Sequence, residues 1–131
     1  MKQRRSDGII QRAVALIAVL FGVATLIAGS RVLAGSDPGY VVFRPLLIYN
    51  TIMGMAYVAA GVLAWRNLVA GTYAAGTIAV LNFVVLLAVG YLYATGSAVA
   101  TDSVRAMTLR TVVWLALLAG CVWLNRRRSP A

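Results

Sequence analysis

Four long apolar runs, separated by short polar breaks, organise this chain of 131 residues. The first extends from about Ala13 to Leu33 and is broken only by Arg31. Gly35-Ser36-Asp37-Pro38-Gly39 then supplies turn chemistry, since Pro fixes φ, Gly reaches unusual dihedrals and Asp bonds the local backbone. The second run follows Arg44-Pro45, where Pro is tolerated in a first helical turn, and ends at Trp65. Arg66-Asn67 leaves almost no loop, so the second and third runs are expected to form a tight antiparallel hairpin. The third run covers Leu68 to about Ala94, and Thr95-Gly96-Ser97 with Thr101-Asp102-Ser103 mark the next loop and an N-cap. The fourth ends at Leu124.

Each run matches the roughly 20 residues that a helix needs to cross about 30 Å of hydrocarbon. They are too long, and alternate too little, for barrel strands. The expected fold is therefore all-α: a membrane-embedded four-helix bundle, one domain over residues 1–131, with spans at about 13–33, 45–65, 68–94 and 103–124. A cleavable signal peptide ending near Ala34 is the competing reading of the N-terminus. The uninterrupted stretch Ala13–Ser30 is longer than a usual signal core, which favours a retained helix.

Charge orients the bundle. Of twelve Lys and Arg residues, Lys2, Arg4, Arg5, Arg12, Arg66, Arg126, Arg127 and Arg128 fall on one side, and Arg31, Arg44, Arg105 and Arg110 on the other. The richer side is expected to be cytoplasmic, with both termini there. Trp65 and Trp123 then lie at the inner interface, and Tyr40, Tyr91 and Tyr93 at the outer one. The net charge of +9 resides at span ends rather than on a patch with interleaved aromatics, which argues against nucleic acid and for lipid anchoring.

Missing residues narrow the chemistry further. The chain has no His and no Glu, and its three acids, Asp7, Asp37 and Asp102, are read as lying in the tail and outer loops. Proton-coupled transport usually needs an intramembrane carboxylate or histidine. A lone Cys121 excludes an internal disulfide or a thiolate metal centre. No cofactor, no metal and no catalytic residue is expected, since no histidine is present to activate a Ser or Cys nucleophile. Met53, Met55 and Met107 are read as gap-fillers, because thioethers alone select only soft ions such as Cu(I).

Arg110 is the most informative position. Only Thr111 to Leu124 separates it from Asn125, about 21 Å of helix, which is short of the roughly 30 Å hydrocarbon thickness. The guanidinium must snorkel outward or find a partner in the bundle. A polar cluster in the outer half would join Arg110 to Asn50, with Tyr49, Tyr91, Arg44 and Asp102 completing it. Asp102 and Arg105, three apart, are alternatively a surface pair. Asn82, near the middle of the third span, is read as a helix-to-helix clamp facing Thr25 or the Gly54 region. Gly22 and Gly29 on the first span, Gly54 and Gly61 on the second, and Gly71, Ala75, Ala79 and Gly90 on the third form small-residue stripes that let helices approach closely.

The stretches Tyr49-Asn50-Thr51-Ile52-Met53-Gly54-Met55-Ala56-Tyr57-Val58-Ala59-Ala60-Gly61 and Ala106-Met107-Thr108-Leu109-Arg110-Thr111-Val112-Val113-Trp114 resemble motifs of small bacterial four-helix inner-membrane proteins. The resemblance implies a multi-pass protein of the bacterial inner membrane and draws attention to Asn50 and Arg110; it implies no activity. DoxX-like proteins are similar in size and layout, but their intramembrane acid has no counterpart here. The expected function is non-catalytic: an accessory or assembly subunit that packs with itself or with a membrane-protein partner. The alternatives are an oligomeric pore or carrier for a small neutral or anionic solute, and capture of a lipid or quinone head group in the outer half. For the pore, Arg31, Arg44, Arg105 and Arg110 against Asp37 and Asp102 would leave the outer mouth at +2.

Overall fold

A computed structural model describes residues 2–128, with side chains from Arg5 onward, so Lys2 and Arg4 of the charge argument have no described side chains. Four helices follow in order: α1 (Lys2–Leu33), α2 (Arg44–Arg66), α3 (Leu68–Ala94) and α4 (Thr101–Arg128). All four are long and apolar enough to cross a membrane. α1 and α4 run well beyond the expected spans. Asp7 therefore stands within α1 instead of in a tail, and Ser103 within α4 instead of in a loop.

Local chemistry sets each connection. Asn67 is the single residue between α2 and α3, and its Oδ1 accepts from the backbone N–H groups of Val69 (3.1 Å) and Ala70 (3.2 Å). One side chain thus satisfies two donors that a helix start leaves free. At the opposite end, α1 and α3 both close on a glycine with positive φ, Gly35 (112°) and Gly96 (83°). In each case the next residue's N–H reaches back five positions, Ser36 to Arg31 and Ser97 to Leu92 (both 3.0 Å). Glycine is favoured at that site because a Cβ would clash in the left-handed region. Asp37 Oδ1 accepts from Gly39 N (2.8 Å) and tightens the α1–α2 loop. The bundle therefore has a loop end, carrying the two longer connections, and a terminal end, carrying the Asn67 turn and both ends of the described chain.

Glycines set the helix spacing. A Cβ on Gly22 would come within 2.8 Å of the Gly54 carbonyl, and one on Gly61 within 2.8 Å of the Ala15 carbonyl. Gly54 is filled by Leu26, and Gly29 by Thr51. The stripes of α1 and α2 are thus spent on each other. Gly71 abuts the backbone of Ala64 across the turn, whereas Gly90 faces open space. α1 packs most heavily on α2, and α3 on α4, while α1 touches α4 least of the neighbouring pairs.

Large side chains fill the centre. Tyr57 packs between Phe21 and Trp114, with ring centroids 5.6 and 4.9 Å away. Met53 joins this cluster, Met107 is buried nearer the loop end, and Met55 is exposed, so the three methionines share no site.

A candidate polar site at the loop end

Two polar assemblies occupy the bundle interior. The deeper one centres on Asn82, which is 0% exposed and about 18 Å along α3 from its loop end. Tyr49 donates to Asn82 Oδ1 (2.9 Å), and Asn82 Nδ2 donates to the Tyr57 hydroxyl (3.0 Å). The partners of Asn82 are therefore two tyrosines of α2 that flank Gly54 along the helix, and Thr25 is not among them. The Thr25 hydroxyl instead donates to its own helix at Phe21 O (2.8 Å). The amide ties α3 to α2 with its oxygen and one amide hydrogen engaged, as buried polar groups require.

The shallower assembly is a cavity of about 100 Å³ at the loop end. α1 supplies Thr25, Ala28, Gly29 and Val32; α2 supplies Leu46, Leu47 and Asn50; α4 supplies Ser103, Ala106 and Arg110. Tyr40, Val42 and Phe43 of the α1–α2 loop complete the wall. Position along α4 explains why its three residues share the cavity. Ser103 and Arg110 are seven apart, nearly two whole turns, and Ala106 lies between them on the same face. Helical side chains lean toward their N-terminus. For both α2 and α4 that is the loop end, so Asn50 and Arg110 tilt the same way.

The electrostatics of this cavity are unusual. Nε of Arg110 and Oδ1 of Asn50 are both buried without a hydrogen-bond partner. The indole N–H of Trp114, one turn further into the bundle, is unpartnered as well. Among the described residues the one ion pair joins Asp7 and Arg127, so no carboxylate neutralises Arg110. A buried unpaired polar group costs about 1–3 kcal/mol, and more when charged.

Of the expected cluster, the structure brings Arg110 and Asn50 to one cavity and leaves the others elsewhere. Tyr49 turns away to Asn82 because consecutive helical residues diverge by about 100°. Tyr91 is 69% exposed. It follows Asn82 by nine residues, about half a turn out of phase, so it faces outward when Asn82 faces the core. Arg44, in the first turn of α2, is exposed, as are Asp102 and Arg105, which form no ion pair. Sequence reasoning missed Ser103, Tyr40 and Tyr57. Ser103 was legible from its spacing of seven to Arg110, and Tyr57 from lying two turns beyond Tyr49.

The floor of the cavity is closed. Tyr57 and Trp114 are almost wholly buried beneath it, and Asn82 is fully enclosed, so no polar path continues to the terminal end. The arrangement offers a cation, an amide and three hydroxyls, those of Thr25, Tyr40 and Ser103. It contains no metal-ligand cluster among the described residues. Compared with known proteins, the chain matches no family model, no curated protein and no solved structure.

Proposed function

We propose that this chain is a non-catalytic, multi-pass protein of the bacterial inner membrane that holds an oxyanion-bearing group in the outer half of its bundle. The observation that carries the reading is the pair of buried, unpartnered atoms, Arg110 Nε and Asn50 Oδ1, in one cavity. A cation held in an apolar bundle without a counter-ion is destabilising, and an anion that accepts from Arg110 Nε and also carries an O–H or N–H group to donate to Asn50 Oδ1 relieves both atoms together. The chain's lack of His and Glu supports a binding role over catalysis. The distribution of arginines supports a cytoplasmic position for both termini, which makes the loop end periplasmic.

Support for the accessory-subunit reading weakens, because the small-residue stripes that motivated it are engaged within the chain at Gly22, Gly29, Gly54 and Gly61. The pore reading finds no channel below Trp114 in a single chain. Thermal unfolding of detergent-purified protein tests the proposal with two probes, inorganic phosphate and a short-chain, water-soluble phosphatidylglycerol. At least one should raise the midpoint of the wild type and leave Arg110→Gln unmoved, since a ligand stabilises in proportion to its occupancy of the folded state. If neither probe shifts the wild type, or the variant responds equally, the proposal is wrong.

A further inference from the structure

Resting on that reading, we infer that the group held by Arg110 is the phosphate of an anionic membrane lipid, one with no cation of its own in the head group, which enters sideways between α1 and α4 and leaves its chains in the bilayer. Four observations carry the assignment. The first is the shape of the α1–α4 interface. These helices meet at the terminal end, where Val14 approaches Gly120 and Asp7 approaches Arg127 (3.7 Å). At the loop end the cavity lies between them, and the residues on its two sides are alanines, Ala28 and Ala106. Ala28 is exposed, so the smallest side chain with a Cβ stands where α1 borders the cavity's edge.

The second observation is size. A volume of about 100 Å³ falls below the roughly 300–1,000 Å³ of sites that enclose a whole small molecule. It admits a phosphate and little more, so the remainder of any ligand must lie outside. The third is depth. Arg110 begins about 13 Å below the start of α4, and its side chain leans back toward that start. The guanidinium thus points toward the loop end, the side from which the phosphates of that leaflet would approach. A free ion would have to shed its water and pass beneath Tyr40 and Phe43. The fourth is the wall itself, which joins Arg110, Asn50 and Ser103 to Val32, Leu46 and Leu47. That mixture suits the junction between a head group and its chains.

The test uses full-length protein equilibrated with vesicles of phosphatidylcholine and phosphatidylglycerol, followed by native mass spectrometry in mild detergent. Wild type should retain phosphatidylglycerol over phosphatidylcholine by roughly tenfold, equivalent to about 1.4 kcal/mol. A28W, which places a large ring in the window, should lose that retention yet keep the wild-type unfolding midpoint in lipid-free detergent. That midpoint also shows that A28W folds. A59W, a ring added to an exposed position of α2 away from the cavity, should retain lipid as the wild type does. Undiminished retention by A28W overturns lateral entry. Equal retention of both lipids, with phosphate still stabilising the wild type, overturns the lipid assignment while leaving oxyanion binding intact. No response to either probe removes both.

Discussion

At the terminal end of the bundle, Asp7 sits against Arg127, Arg128 donates to Gln11 Oε1 (2.6 Å), and Gln11 Nε2 donates to the Ala64 carbonyl (2.6 Å). At the loop end, Arg110 and Asn50 occupy a cavity and meet no partner. The same fold thus contains one region in which Arg127 and Arg128 meet partners, although Asp7 Oδ1 accepts no hydrogen bond there, and one in which Arg110 meets none. Two further cations at the terminal end lie over aromatic rings, Arg127 on Trp123 (4.6 Å) and Arg12 on Trp65 (5.6 Å). Matching of this kind fastens helices together. The unmatched cation contributes nothing to that fastening, and such local inconsistency is characteristic of functional positions.

The contrast can be broken most severely at neither end but at the α1–α2 seam that holds both in place. Gly61→Leu forces a side chain into the Ala15 carbonyl and Val19, and should destabilise the bundle by about 3 kcal/mol, the upper range for overpacking. Denaturant titration in detergent micelles measures it, and an unchanged midpoint would refute the close approach. A smaller effect is expected at Asn82. Asn82→Leu leaves the Tyr49 and Tyr57 hydroxyls without their amide and should cost about 1–2 kcal/mol. The double change with Tyr57→Phe should cost less than the sum of the two single changes. Strict additivity would mean that the two side chains are not coupled.

Smaller still is the effect at the terminal end. Asp7→Asn removes the charge facing Arg127, whose side chain is 30% exposed. The loss should be under about 1 kcal/mol, and it should fade as salt screens the pair. Equal losses at low and high ionic strength would show that the carboxylate acts by something other than charge.

The extent to which these regions were legible in sequence follows from what periodicity encodes. Depth along a helix is a matter of counting residues, so Arg110 and Asn50 could be assigned the same level from their distances to Asn125 and Pro45. Asn67, Gly35 and Gly96 announced their turns through residue type alone. Rotation about the helix axis is harder to read, because apolar side chains face lipid as well as core and the usual amphipathic stripe is absent. Tyr91 was therefore grouped by depth with residues it opposes, and Tyr57 was overlooked between two glycines that drew attention to packing. Asp7 was misplaced for a different reason. It lies among Arg5, Gly8 and Gln11, a polar stretch that reads as a tail until α4's arginines are seen to cover it.

The account depends most on Arg110 serving a ligand rather than the fold. The direct measurement is the stability of lipid-stripped protein carrying Arg110→Met, compared with wild type under the same conditions. Replacing this half-buried, unpaired cation with an apolar chain of similar length should leave stability unchanged or raise it by about 1–2 kcal/mol. A loss of more than about 2 kcal/mol in the absence of any ligand would show that this guanidinium holds the bundle together, and the contrast between its two ends would then be void.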